Sequence, residues 1–556
     1  MIQSWKELNS SRSSSLTLSR LQFFWPRVPF TFVMVKVHRY LTWIRGLCDK
    51  SVSRSNDLEI PVGVEENAVR ISHQSGSETE IEEQSSLQTV AEEIAQGFHF
   101  SDERLAAVVS GFMKQMNEGL SSHGCMIEQL PSYITQIPTG QEKGTYLAVD
   151  LGGTNIRICS VALHGDGTYD LTQEKAVIPV HLMTSIEPME LFRWVAALIH
   201  QFLMKHHPDS ATLGQPSISP AFDLGFTFSH AVQQTSIKSG TLIRWSKGFD
   251  IRGVVGQDIC ALLQSALTEF RLPVRVTALT NDTIGTLLAR AYIAPDTATT
   301  IMGAVFGTGT NGAYIEQAAN ITKLGGPNTR LMIVNSEWGN FDQNLEYLPF
   351  TEFDKMVDAR SVNPGLEKFE KMVSGMYLGE ILRLAIFYLL EVSKTNATTD
   401  IKIPAASKLD EQWSLDASIL TILEADTSLD LSVSRTAIEQ GLGLGSVSCA
   451  VAKAFRTIAC SIGKRAARLG AVAIGAVILQ TNSLVAHSER PKRIDIGVDG
   501  SLIELYPPFL IEMRKALSCI DGIGADGLAR VDIILTKDGS GVGAALAALI
   551  ILVFTK

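Results

Sequence analysis

None of the seven cysteines, spread from Cys48 to Cys519, forms a C-x-x-C pair. This excludes a zinc-ribbon or thioredoxin-type redox site and fits scattered thiols in a reducing compartment. Basic charge is in short supply: 48 Lys and Arg face 58 Asp and Glu, a net charge of −10. A nucleic-acid partner would call for a basic surface, so that class is excluded. No transmembrane segment is expected, because the apolar runs Phe30–Val35 and Ala544–Phe554 are too short to span a bilayer. The second of these reads as a buried helix. The chain contains no G-x-x-x-x-G-K-[ST], no H-R-D and no D-F-G. A P-loop kinase and a protein kinase are therefore excluded.

What remains is a long chain with material for a large core: 556 residues, 45% hydrophobic and 19% charged. That size and balance describe a globular protein of more than one domain. Residues 1–90 are different. Leu8 to Cys48 has no Asp or Glu but carries Arg12, Arg20, Arg27, Lys36, Arg39 and Arg45 among clustered serines. A mitochondrial transit peptide or surface anchor has this composition, as does a disordered tail or a misassigned start. Asp57 to Glu93 is acidic, with Arg70 its only Lys or Arg, and reads as a solvated linker. Folding is expected from near Thr89, with Ser101 capping a helix that places Leu105, Val109, Phe112 and Met116 on one face. Asn396 to Asp430 reads as an irregular loop. Gly441-Leu442-Gly443-Leu444-Gly445 reads as a helix break, not a dinucleotide loop.

The most informative stretch is Asp150-Leu151-Gly152-Gly153-Thr154-Asn155-Ile156-Arg157, set between two apolar runs. It reads as strand, tight glycine turn, strand. Adjacent glycines let a backbone approach a ligand closely, and the amides of such a turn can cradle phosphate oxygens. Asp150 at a strand end can hold Mg²⁺ through water, since this hard cation keeps much of its hydration. An ordinary hairpin is the plainer reading of this octapeptide alone. Thr300 to Tyr314 repeats the design, with Gly307-Thr308-Gly309 as its turn. Two such hairpins imply a duplicated α/β unit with nucleotide held in a crevice between its halves.

The arrangement resembles the actin-like ATPase superfamily, and further segments resemble the eukaryotic, fungal-type hexokinase family. Leu224–Ser229, Trp245–Asp250, Leu279–Thr283, Asn335–Phe341, Phe369–Met372 and Gly375–Glu380 look like its sugar-site segments, in order. Gly497-Val498-Asp499-Gly500-Ser501 and Asp538–Gly543 resemble its adenosine-side loops. The resemblance implies a duplicated actin-like, ribonuclease H-like α/β fold with two lobes and the active site in the cleft between them. The halves are expected at residues 91–297 and 298–556. It also implies an ATP-dependent, Mg²⁺-requiring transfer of phosphate to the 6-hydroxyl of glucose or a related hexose, the opening step of glycolysis. The partners are then small molecules, hexose and ATP. The expected location is the cytoplasm, with mitochondrial surface association through the leader as a second expectation.

On the same resemblance Asp282 is the catalytic base and Lys247 the sugar-site lysine. Ser229, Ser246, Lys247, Asn281, Asp282, Asn311, Glu337 and Glu370 would bind hexose. Asp150, Leu151, Gly152, Gly153, Thr154, Asn155, Arg157, Gly307, Thr308, Gly309, Gly497, Val498, Asp499, Gly500, Ser501 and Ser540 would bind ATP. Phosphoryl transfer needs positioning, charge neutralisation and a base for the hydroxyl proton. A polyol is recognised by side chains that donate and accept. Two segments depart from the family pattern. Ser229-His230-Ala231 stands where Ser-Phe-Pro is usual, and Pro364-Gly365-Leu366-Glu367 where Pro-Gly-Gln-Gln is usual. The first loses a proline restraint and the second exchanges an amide for an acceptor-only carboxylate. Weakened sugar affinity is the sharper expectation. The alternatives are a catalytically weak sugar sensor and an actin-like ATPase or chaperone, the last opposed by the sugar segments.

Overall fold

The structure is a computed structural model, which describes residues 78–208, 222–245, 249–326, 329–395, 403–404, 407–485 and 492–554. The basic leader, Phe30–Val35, Ser246 and Lys247 lie outside the described residues. Two helices, α1 (Glu78–Gly97) and α2 (Asp102–Ser121), lead into a short strand, β1 (Leu130–Pro131). The Ser101 hydroxyl accepts the Arg104 N–H at 3.3 Å and so caps α2, whose Leu105, Val109, Phe112 and Met116 are all buried. Helix α1 starts inside the stretch expected to be linker. Its Leu87, Ala91 and Ile94 are buried, so the acidic face is solvated while an apolar stripe packs.

Strands β2 (Lys143–Leu151), β3 (Asn155–His164) and β4 (Tyr169–Val177) form an antiparallel meander. Helix α3 (Glu190–His206) precedes β5 (Phe222–Phe228), and the hairpin β6 (Ala231–Ser236) and β7 (Ser239–Arg244) precedes α4 (Ile259–Glu269) and β8 (Val274–Thr280). After α5 (Asp282–Ile293) the plan repeats: β9 (Ala298–Phe306), β10 (Thr310–Gln317) and β11 (Leu331–Asn335). The long α6 (Cys449–Gln480) then leads to β12 (Arg493–Asp499), β13 (Val531–Leu535) and α7 (Gly539–Phe554).

The sheet orders are β4-β3-β2-β5-β8 and β1-β11-β10-β9-β12-β13. Each is an antiparallel meander whose first strand is joined by two parallel strands. This is the duplicated α/β architecture that the two glycine hairpins imply.

Helices α5 and α7 lie in the core between the sheets, where Ala148, Val161, Leu287, Ala313, Ile333 and Leu546 share one cluster. Gly285 of α5 and Gly543 of α7 touch backbone to backbone, so any side chain at either position would separate the helices. The other face of the first sheet is covered by α3 and α4, through Phe192, Ile199, Leu263 and Leu267. A buried ion pair fixes α5 to the second sheet: Arg290 donates twice to Asp495, both at 2.7 Å.

The C-terminal apolar run lies in the helix expected, with Ala544 to Ile550 buried, and among the described residues no helix is long and apolar enough to cross a membrane. Within Asn396–Asp430 the structure departs from the loop reading. Ser418–Ala425 is a helix with Ile419, Leu420, Ile422 and Leu423 buried, a short apolar run masked by polar neighbours. Gly443, with positive φ, ends the helical segment Ala437–Leu442, so this glycine run is a helix break.

Candidate active site

The first glycine turn closes where the Gly152 N–H donates to the Asn155 carbonyl at 3.0 Å, leaving Gly153 and Thr154 at its tip. The Asn155 amide donates to the Thr154 hydroxyl at 2.8 Å. Asp150, 6% exposed, accepts from the Ser540 hydroxyl at 2.7 Å and faces Arg157 at 3.2 Å. Arg157 also reaches Asp538 at 3.3 Å. Ser540 is brought there by the start of α7, nearly four hundred residues from its partner.

In the second turn the Gly307 N–H donates to the Gly309 carbonyl at 2.9 Å. The Thr308 carbonyl accepts the Met376 N–H at 3.3 Å. Gly500 is seated against the Phe306 carbonyl with φ at 109°, a place closed to any side chain. Ser501 opens the helix Ser501–Leu505 beside it. Asp499 accepts the Gly500 N–H at 2.7 Å. Burial pushes its carboxyl up to about 6. Asp282 and Asp538 add to this, while the Gly500 N–H and Arg157 oppose it. Asp282, Asp538 and Arg157 thus share one electrostatic neighbourhood around Asp499. Gly497, Val498 and Leu151 are buried strand positions, so the side chains of Val498 and Leu151 belong to the core.

The polar side chains of the expected sugar segments converge on the same ends of the two sheets. Asn281 caps α5, its Oδ1 accepting the Ile284 N–H at 2.9 Å, which places Asp282 on the first turn of that helix. The Ser229 N–H donates to the Leu151 carbonyl at 3.3 Å, beside the first turn. Asn311 donates to Glu337 at 3.2 Å and to Asn335 at 2.9 Å, and Asn335 donates to Glu337 at 2.7 Å. Burial raises the Glu337 carboxyl above the usual range. Glu370 accepts the Thr310 N–H at 2.8 Å, joining this cluster to the second glycine turn.

Asn335, Asp538 and Arg244 were absent from the expected set. Asn335 opens the Asn-Ser-Glu segment and Arg244 directly precedes Trp245, so their motifs pointed to them, but their contacts are tertiary. His230 is 9% exposed and lies 4.8–5.0 Å, ring to ring, from Phe228, Trp245 and Phe249. It is a member of an aromatic cluster. Trp245 and Phe249 stack at 5.3 Å and flank Ser246 and Lys247.

Two hexokinase family models match the chain, at residues 90–292 and 301–550. The chain belongs to the hexokinase family. It is 44% identical to a glucokinase of Aspergillus niger over 84% of this chain and 97% of the relative. Glucokinase-1 of Saccharomyces cerevisiae is 37% identical over 83% of this chain and 96% of its own length. A hexokinase from Schistosoma mansoni, solved in complex with glucose, superposes with a TM-score of 0.72 at 32% identity, covering 84% of this chain and 99% of that one. The hexokinase fold is therefore the fold of this protein.

Proposed function

We propose that the chain transfers the γ-phosphoryl group of ATP to the 6-hydroxyl of glucose or a related hexose. The observation that carries this reading is the bond from Thr310 N–H to Glu370, which builds a polyol-type cluster of amides and carboxylates directly onto a phosphate-type glycine turn. Kinship with the glucokinases and the glucose-bound hexokinase supports it.

In this reading Asn281, Asn311, Glu337 and Glu370 hold the hexose with Ser229, Ser246 and Lys247. Asp282 accepts the proton of the 6-hydroxyl as that oxygen bonds to the γ-phosphorus. The bond from phosphorus to the β,γ-bridging oxygen breaks, and ADP leaves. The backbone amides of the two glycine turns and Arg157 receive the phosphates, while Lys247 steadies the charge that develops. Asp499 to Ser501 and Ser540 face the rest of the nucleotide. Closure of the halves 91–297 and 298–556 over the sugar would exclude water. Among the described residues no three His, Cys, Asp or Glu form a metal cage. A single buried carboxylate, Asp150, suits Mg²⁺, which keeps water and phosphate oxygens as most of its ligands. When bound, the ion would neutralise phosphate charge. For location we propose the cytoplasm, with the basic leader as the part that would reach a mitochondrial surface.

The test is ATP-dependent glucose phosphorylation by the full chain at low and very high glucose, beside Asp282→Ala. The variant should lose about 10²- to 10⁴-fold in kcat. Absence of turnover at any glucose concentration, in folded protein, would overturn the reading.

A further inference from the structure

Arg244 ends strand β7, directly across the hairpin from Ala231. It therefore stands where two expected sugar segments, Ser229-His230-Ala231 and Trp245–Asp250, meet. Its guanidinium does not stay with that hairpin. One terminal nitrogen lies 3.9 Å from Glu128 and the other 3.9 Å from Glu367. Glu128 precedes β1, which belongs to the second sheet through its pairing with β11. Glu367 belongs to the loop that leads to Glu370. One side chain of the first half thus meets a carboxylate beside the edge of the second sheet and a carboxylate of the second half.

Both carboxylates rest on rigid platforms. The backbone at Glu128 is held by Lys323, whose ammonium donates to the Glu128 and Gln129 carbonyls at 2.7 Å each. The Glu367 backbone is left-handed, with φ at 51°. The buried Lys371 holds the preceding turn by donating to the Asn363 and Leu366 carbonyls and to Asp358, at 2.7–2.8 Å. The Asn363 amide donates to the second oxygen of Glu367 at 2.6 Å, leaving the first toward Arg244. Glu337, deep in the site, senses all three groups: Glu128 and Glu367 raise its carboxyl and Arg244 lowers it. The carboxylate that replaces the family's amide at 367 is therefore matched by a cation.

We propose that Arg244 is a positioning residue for hexose binding, tying the segment that carries Trp245 to the Glu337–Glu370 wall through its ion pair with Glu367. This rests on the hexose reading above. The pair acts on assembly of the sugar site and not on the chemical step, so it belongs in KM and in glucose Kd. Arg244 is 42% exposed and Glu367 27%. Pairs this open are modest and salt-sensitive, so the expected effect is about two- to fivefold.

The experiment measures glucose Kd by calorimetry without ATP, and KM and kcat with ATP, for the full chain, Arg244→Gln, Glu367→Gln, the double variant and the reversed pair Arg244→Glu with Glu367→Arg. Glu128→Gln measures the other arm. The single variants should each weaken glucose about two- to fivefold with kcat held within about twofold. The double variant should be no worse than the weaker single, and the reversed pair should recover affinity. High salt should weaken glucose binding by wild type and leave the double variant unchanged. Additive losses, unchanged Kd in both singles, or a fall in kcat without a change in Kd would each overturn the proposal. Should Arg244→Gln fail to fold, Arg244→Lys and the salt dependence of wild type decide it alone. Failure of the hexose reading would appear separately, as wild type that binds no glucose.

Discussion

Replacing Asp499 by asparagine should stabilise the protein at neutral pH, and by less and less as the medium is acidified. Asparagine keeps an acceptor for the Gly500 N–H, 2.7 Å from the present carboxylate, and deletes the charge. Burial raises this carboxyl from 3.8 to about 6. At about 1.36 kcal/mol per pH unit the ionised group costs the folded state about 3 kcal/mol. Solvent at the edge of the site reduces this, so about 1–3 kcal/mol is expected. The sign follows from linkage. Below the unfolded value the group is protonated in both states and costs nothing. As pH rises from 3.8 to about 6 only the unfolded chain ionises, and stability is lost. Above about 6 the full cost is present. The advantage of Asp499→Asn over wild type should therefore be full near pH 8, about half that near pH 5 and almost absent near pH 4. Urea unfolding of both proteins across this range measures it. A gap that stays constant with pH, or an asparagine variant less stable near pH 8, would refute the reasoning.

Other substitutions test the site itself. A methyl group at Gly309 would lie 2.6 Å from the Glu370 carboxylate, so Gly309→Ala should displace it from the Thr310 N–H and raise glucose KM. The loss of that charge-assisted bond is worth about 1–3 kcal/mol, roughly 5- to 150-fold. The same change in a Glu370→Ala background should add little, and a full additive loss would show that Gly309 acts elsewhere. His230→Phe should retain the ring contacts with Phe228, Trp245 and Phe249, with glucose KM unchanged or lower. A tenfold rise in KM would instead mean that the imidazole touches the hexose.

Much of this site was legible because its parts are contiguous. A turn whose glycines, donors and terminal aspartate are neighbours in sequence, as at Asp150–Arg157, declares its conformation wherever it lies. So does Asn281-Asp282, because an N-cap is a local device. The departures at His230 and Glu367 were visible too, but their consequences were not. Their partners, Trp245 and Phe249 for one and Arg244 for the other, come from other elements. The helix at Ser418–Ala425 was hidden because five apolar residues in a polar stretch carry too little periodicity to outweigh their surroundings.

The sequence by itself determined the turns, the caps, the repeated strand pattern and the kind of side chain offered to a phosphate and a polyol, since each depends on residues a few positions apart. Tertiary structure alone decided that Ser540 meets Asp150, that Glu370 meets Thr310, and that Arg244 spans Glu128 and Glu367. Those contacts depend on where two sheets and the helices between them come to rest. That placement is set by the summed packing of a whole core, which no local pattern encodes.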